Sequence, residues 1–108
     1  MPWIVETLDH VVDEELSVLS AELRARFVRI ADLIEAVGLE RVHEPHVKHI
    51  EGRLWQIRLT GANRIARALY VTAPPQRVVV VRVFVKKTEK TTRREIELAM
   101  KRAQGVSR

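Results

Sequence analysis

In this 108-residue chain, cations are the side chains whose types and spacing point to chemistry. Arg58 sits in an alternating stretch, on the side opposite Trp55, Ile57 and Leu59, and Arg67 sits in the next apolar stretch. Lys86, Lys87 and Lys90 follow a third. If these stretches are neighbouring antiparallel strands, about 5 Å apart, then Arg58, Arg67 and the Lys86/Lys87 pair converge. Whether Arg67 shares a face with Arg58 depends on register, because a slip of one residue reverses every side chain. Arginine forks suit phosphate oxygens bidentately, and a lysine among like charges has its pKa pushed down, so that a fraction is available as a base. Such a group is equipped to cleave RNA without a metal. The substrate's own 2′-OH attacks the adjacent phosphate, while the protein aligns the backbone, helps remove that proton, stabilises the pentacoordinate charge and protonates the leaving 5′-oxygen. Tyr70, the one tyrosine, either stacks on a base or donates a proton, or else packs as a half-buried sheet aromatic.

Other chemistries find less support. His43, His46 and His49 repeat every three residues, but Pro45 interrupts a regular helix there and no cysteine assists, so no metal site is expected. His49 is the best placed of them for acid–base work, and solvent-facing loop histidines are the plainer reading. There is no glycine-rich phosphate loop, no H-E-x-x-H helix and no G-x-S-x-G elbow, and the acidic residues form no compact ligand set beside the strands. No cofactor is implied.

The charge is unevenly divided. Residues 1–47 carry four Lys/Arg against ten Asp/Glu, a net −6, while residues 48–108 carry fifteen against four, a net +11. The second half therefore expects a polyanionic partner, nucleic acid foremost, although a merely solvated basic surface has the same composition. At 46% hydrophobic and 31% charged residues the chain reads as one globular domain spanning 1–108. The absence of cysteine suits a reducing compartment. No signal peptide is expected from the first residues, and the longest apolar run, 78–81, is too short to cross a membrane. A cytoplasmic setting follows as an expectation.

Several elements must position the cations. Trp3, Ile4 and Val5 form a β-branched run that predicts a first strand. Leu8, Val11, Val12, Leu16 and Leu19 have helical spacing, with Asp13, Glu14 and Glu15 expected on the solvent side. A second helix is predicted from an N-cap at Ser20 to a C-cap at Gly38, with Leu23, Phe27, Ile30, Ile34 and Val37 on one stripe. Residues 38–50 read as an irregular connection. Three strands follow, joined by turns at 61–63 and 73–76, and the third (78–85) is apolar on both faces apart from Arg82. Thr92 and Glu95 match a capping box that starts a terminal helix with Ile96, Ala99, Met100 and Ala103 inward. The expected fold is α+β: a helical hairpin packed on a small antiparallel sheet, in the order β-α-α-β-β-β-α.

Taken as sets, Lys48-His49-Ile50, Leu54-Trp55-Gln56-Ile57-Arg58, residues 64–70 and Phe84-Val85-Lys86-Lys87-Thr88-Glu89-Lys90-Thr91 resemble the phage-derived, HigB-like branch of the RelE/ParE toxin superfamily. The motifs cover residues 48–103. This resemblance implies a RelE-like fold and a type II toxin that cleaves messenger RNA on the ribosome, held in check by a cognate helix-turn-helix antitoxin. It also implies that Arg58, Arg67, Lys86 and Lys87 occupy the basic active-site positions and that Lys48 and Lys90 are recurrent basic positions; together with Arg64 and Tyr70, these last two are the expected RNA contacts. Three features depart from the pattern. Gln56 stands at a position commonly charged in such toxins, Thr92 stands where this branch commonly has proline, and the terminal helix lacks an aromatic residue. A shared scaffold does not decide function. Two further readings therefore stand beside the first: a ParE-like inhibitor of DNA gyrase, and a non-catalytic basic module that binds an antitoxin.

Overall fold

The structure, a computed structural model, describes residues 2–87 and 89–107. The elements run β1 (Ile4–Thr7), α1 (His10–Ser17), α2 (Ala21–Val37), a 3-10 turn (Leu39–Arg41), β2 (Val47–Glu51), β3 (Leu54–Thr60), β4 (Ile65–Ala73), β5 (Arg77–Val85) and α3 (Arg93–Ala103). The α+β architecture is as the residues predict, with two differences. The connection at 38–50 contains an additional strand, β2, and the sheet is mixed. Its order is β1-β5-β4-β3-β2, antiparallel except that β1 lies parallel to β5. The sequence hides β2 because it is a short edge strand whose Lys48 and His49 are exposed, so it shows no apolar alternation.

Local chemistry sets the helix ends. Asp9 accepts from the N–H groups of Val11 and Val12 (3.1 and 3.2 Å) to start α1, and Ser20 accepts from Leu23 (3.3 Å) to start α2. Gly38 ends α2 at φ +92°, where a side chain would be strained and a Cβ would meet Glu40 Oε1 at 2.9 Å.

Both sheet faces are covered. Leu23, Phe27, Ile30 and Ile34 of α2 pack with Ile57, Leu59, Ala68, Tyr70, Val78 and Val80 on one face. Ile96, Ala99 and Ala103 of α3 pack with Leu54, Leu69, Val71, Val79 and Val81 on the other. This second layer explains why Gln56, on the face opposite Ile57 and Leu59, is buried, whereas Trp55, near the β2–β3 hairpin, is 38% exposed. Val37, beyond the end of the α2 contact, is also exposed.

The sheet has an open edge that side chains close. β1 pairs with β5 only as far as Val80, while β5 continues to Val85. Glu15 reaches in from α1 and accepts from Val83 N–H (3.0 Å), and Arg102 of α3 donates to Val81 C=O (2.8 Å). Glu15 also accepts from Arg82 at 2.7 Å and Arg102 at 2.9 Å, tying α1, β5 and α3 together. It therefore does not sit on the solvent side expected of it. Its side chain is 14% exposed, because an unpaired strand edge needs an acceptor more than a helix surface needs a charge.

Two stability outcomes follow. Glu15→Ala removes an acceptor from two largely covered arginines and one strand N–H, and is expected to cost ~2–4 kcal/mol in denaturant unfolding. Gly38→Ala is expected to cost ~1–2 kcal/mol through backbone strain, read as a lowered midpoint with an unchanged slope.

Candidate nucleic-acid site

The register settles which cations share a face. Arg58 pairs with Arg67, and Arg67 with Phe84, so these three form one row across β3, β4 and β5. The adjacent row runs Lys48, Gln56, Leu69 and Arg82. Directly opposed residues share a face, so all of these lie on the α3 side, with Leu69 packed beneath α3 itself. There the loop 86–92 folds over the sheet.

Arg67 holds that loop. It is 6% exposed, and its guanidinium donates from Nη1 to Thr91 Oγ1 and from Nη2 to the Glu89 carbonyl, both at 2.6 Å. Thr91 in turn donates to Gln56 Oε1 at 3.0 Å, so Gln56 and Arg67 fix one loop residue from two strands. Burial first, and the neighbouring Arg58 charge second, lower the Arg67 pKa, although arginine stays charged. The Nε atoms of Arg58 and Arg67 are both buried and have no hydrogen-bond partner. Two adjacent orphaned donors on a cationic row suit an anion.

The loop places the lysines. The Lys86 N–H donates to Ile65 C=O (2.7 Å), prolonging the β4–β5 ladder, and Lys86 Nζ lies 3.8 Å from the exposed Glu89 carboxylate. A cleft of about 330 Å³ is lined by Arg67, Arg82, Phe84, Lys86, Lys87, Lys90 and Glu95. A wider groove of about 780 Å³ adjoins it, lined by the 60–65 turn with Arg64, together with Lys86, Lys87 and Glu89. Among the expected site residues, the structure thus brings Arg67, Lys86, Lys87 and Lys90 to one cleft and Arg64 to the groove beside it. Arg58 stands beside Arg67 but lines neither, and Lys48 stands on the same face at the exposed sheet edge. Thr88, part of the loop motif, lies outside the described residues.

Tyr70 is corrected. It is 1% exposed and belongs to the core on the opposite face, where burial pushes its hydroxyl pKa up, so it neither stacks on a base nor donates at the cleft. The reason is parity. Position 70 alternates with Arg67 and Leu69 on β4 and points under α2. His49 is also committed elsewhere: it shares a hydrogen bond with Gly52 C=O (2.7 Å) and packs against Trp55. Among the described residues no group of three His, Cys, Asp or Glu is placed to hold a metal, and no helix is long and apolar enough to cross a membrane.

Sequence reasoning did not assign Arg82 and Glu95 to the site. Arg82 donates to Glu95 (2.7 and 3.1 Å) and to Glu15 (2.7 Å), and these hydrogen bonds, those to Glu95 first, raise its pKa. Its guanidinium also lies 5.7 Å from the Phe84 ring centre. A lone arginine in an otherwise apolar strand was the available signal.

Comparison with known proteins places this geometry. Residues 14–104 match the family described as phage derived protein Gp49-like. No curated protein matches the chain. Among solved structures it is similar to an arginine-to-alanine double mutant of the Escherichia coli toxin RelE in the free state, with a TM-score of 0.66 and 20% identity, covering 94% of this chain and 98% of that one. That likeness establishes the RelE fold. Both findings agree with the resemblance of residues 48–103 to the phage-derived branch of the RelE/ParE superfamily, and the chain belongs to the Gp49-like family of phage derived proteins.

Proposed function

We propose that this protein is the toxin of a type II toxin–antitoxin pair and acts as an endoribonuclease on messenger RNA presented by the ribosome. The observation that carries this reading is the convergence of Arg67, Lys86, Lys87 and Lys90 on one cleft, with Arg58 in the same row as Arg67. The scissile phosphate lies in the cleft beside the arginine row, in the field of Arg67 and of the neighbouring Arg58. Lys86 and Lys87 neutralise the developing charge and protonate the leaving 5′-oxygen, and Lys48, Lys90 and Arg64 follow the RNA backbone on either side. No step needs a metal, since the nucleophile belongs to the RNA. The net +11 of residues 48–108 favours the approach of RNA and of ribosomal RNA alike. The partner that silences the protein is a helix-turn-helix antitoxin whose acidic or amphipathic segment hides the basic groups, and the setting is the cytoplasm.

Expression without the antitoxin should arrest growth and cut translated messenger. Lys87→Ala changes an exposed loop residue, so it should leave thermal stability unchanged while lowering cleavage ~100-fold or more. Full cleavage and toxicity in that variant would contradict the assignment. Growth arrest with intact messenger and a DNA-damage response would point instead to gyrase inhibition, and no arrest at all to a binding module. Arg67→Ala should lose cleavage and also lower the unfolding free energy by ~1–3 kcal/mol, because it releases the 86–92 loop as well as the phosphate.

A further inference from the structure

RNA cleavage by its own 2′-OH requires a group that takes a proton, and the cations in the cleft are poor at this. Arginine has no lone pair to offer and a protonated lysine has none either. Tyr70 lies under the other face, and no histidine lines the cleft. One carboxylate does: among the described residues lining that cleft, Glu95 is the single acid. Glu89, on the loop, is 98% exposed and faces the neighbouring groove.

The spacing of Thr92 and Glu95 predicts a reciprocal cap, but only half of it forms. Glu95 N–H donates to Thr92 Oγ1 at 3.4 Å, while the carboxylate turns away from the helix start toward β5. There Oε1 accepts from Arg82 Nε at 2.7 Å and Oε2 from Arg82 Nη2 at 3.1 Å. Arg82 is held from behind by Glu15 of α1, which Arg102 of α3 also grips. The fork that orients Glu95 is therefore itself anchored. Each carboxylate oxygen keeps a lone pair after pairing with Arg82. The side chain is 21% exposed, enough to meet a substrate, and Arg67 from β4 with Lys86 and Lys90 from the loop complete its charged surroundings.

Resting on the ribonuclease reading, we propose that Glu95 is the general base that accepts the 2′-OH proton, with Arg82 as the residue that positions it. As the O2′–H bond breaks, its proton passes to a Glu95 oxygen and O2′ forms a bond to phosphorus. The P–O5′ bond then breaks, and O5′ takes a proton from the ammonium of Lys86 or Lys87. The products are a 2′,3′-cyclic phosphate and a 5′-hydroxyl. Glu95 later returns its proton to solvent and the lysine regains one, so nothing is consumed. The acid and the base of the reaction stand on separate elements, α3 and the loop after β5, facing each other across the phosphate.

The test is single-turnover cleavage of messenger on programmed ribosomes across the acid pH range, with the full chain. Glu95→Gln should lower the rate constant ~100-fold or more. It should leave binding to ribosomes carrying a messenger 2′-O-methylated at the scissile nucleotide within about threefold of wild type. The wild-type rate should fall about tenfold per pH unit below the ionisation of one carboxyl, a limb absent from Glu95→Gln and retained, at reduced rate, by Glu95→Asp. A Glu95→Gln protein that cleaves at the wild-type rate overturns the proposal. So does a wild-type rate that is flat through the carboxyl range, which decides the matter even if Glu95→Gln does not fold. A wild type that cuts no translated messenger overturns the ribonuclease reading itself, and Glu95 with it.

Discussion

Arg67 lies within a sheet covered on both faces, yet both of its Nη atoms are spent outside the sheet, on the Glu89 carbonyl and the Thr91 hydroxyl. A guanidinium cannot shed its charge, so burying one demands acceptors around it. Here the acceptors come from the loop after β5, and meeting that demand folds the loop down over the arginine row. The cleft, the approach of Lys86, Lys87 and Lys90, and the start of α3 at Thr92 all follow from where this loop is held. Gln56 reinforces the same point from the next strand. An uncharged amide suits this place, because it can accept from Thr91 beside two arginines without changing the net charge of the row.

The second constraint is the unequal length of β1 and β5. A short parallel edge strand leaves part of the β5 edge open, and charged side chains rather than backbone close it. Glu15 is central to this arrangement, and the arginines it binds extend toward the cleft through Arg82. Fold and site thus share one network: the contact that seals the strand edge also orients the residues lining the basic cleft. The chain's charge division has a structural counterpart in these pairs, since Glu6 and Glu15 of the acidic half meet Arg77, Arg82 and Arg102 of the basic half.

Much of this was legible in the residues. Periodicity found all three helices, with the Ser20, Gly38 and Thr92 caps, and it found β1 and the three-stranded meander, because burial on one face leaves a regular apolar pattern. It missed β2, whose Lys48 and His49 face solvent at an edge. It placed Glu15 outside, because helical spacing cannot report a strand edge that is completed from far along the chain. Tyr70 was misassigned through residue type, and only the register shows that position 70 faces away from position 67. The cationic cluster was legible as a set, since its members fall on consecutive strands and the following loop. Glu95 was not, because its capping role accounted for it locally.

The central claim is that the RNA supplies its own nucleophile over a cleft of cations. The chemistry of the cut ends tests this most directly. Messenger recovered from cells expressing the protein alone should carry a 5′-hydroxyl on the downstream fragment and a 2′,3′-cyclic or 3′-phosphate on the upstream one. Ends bearing a 5′-phosphate and a 3′-hydroxyl would contradict it, because water rather than the 2′-oxygen would then have been the attacking group.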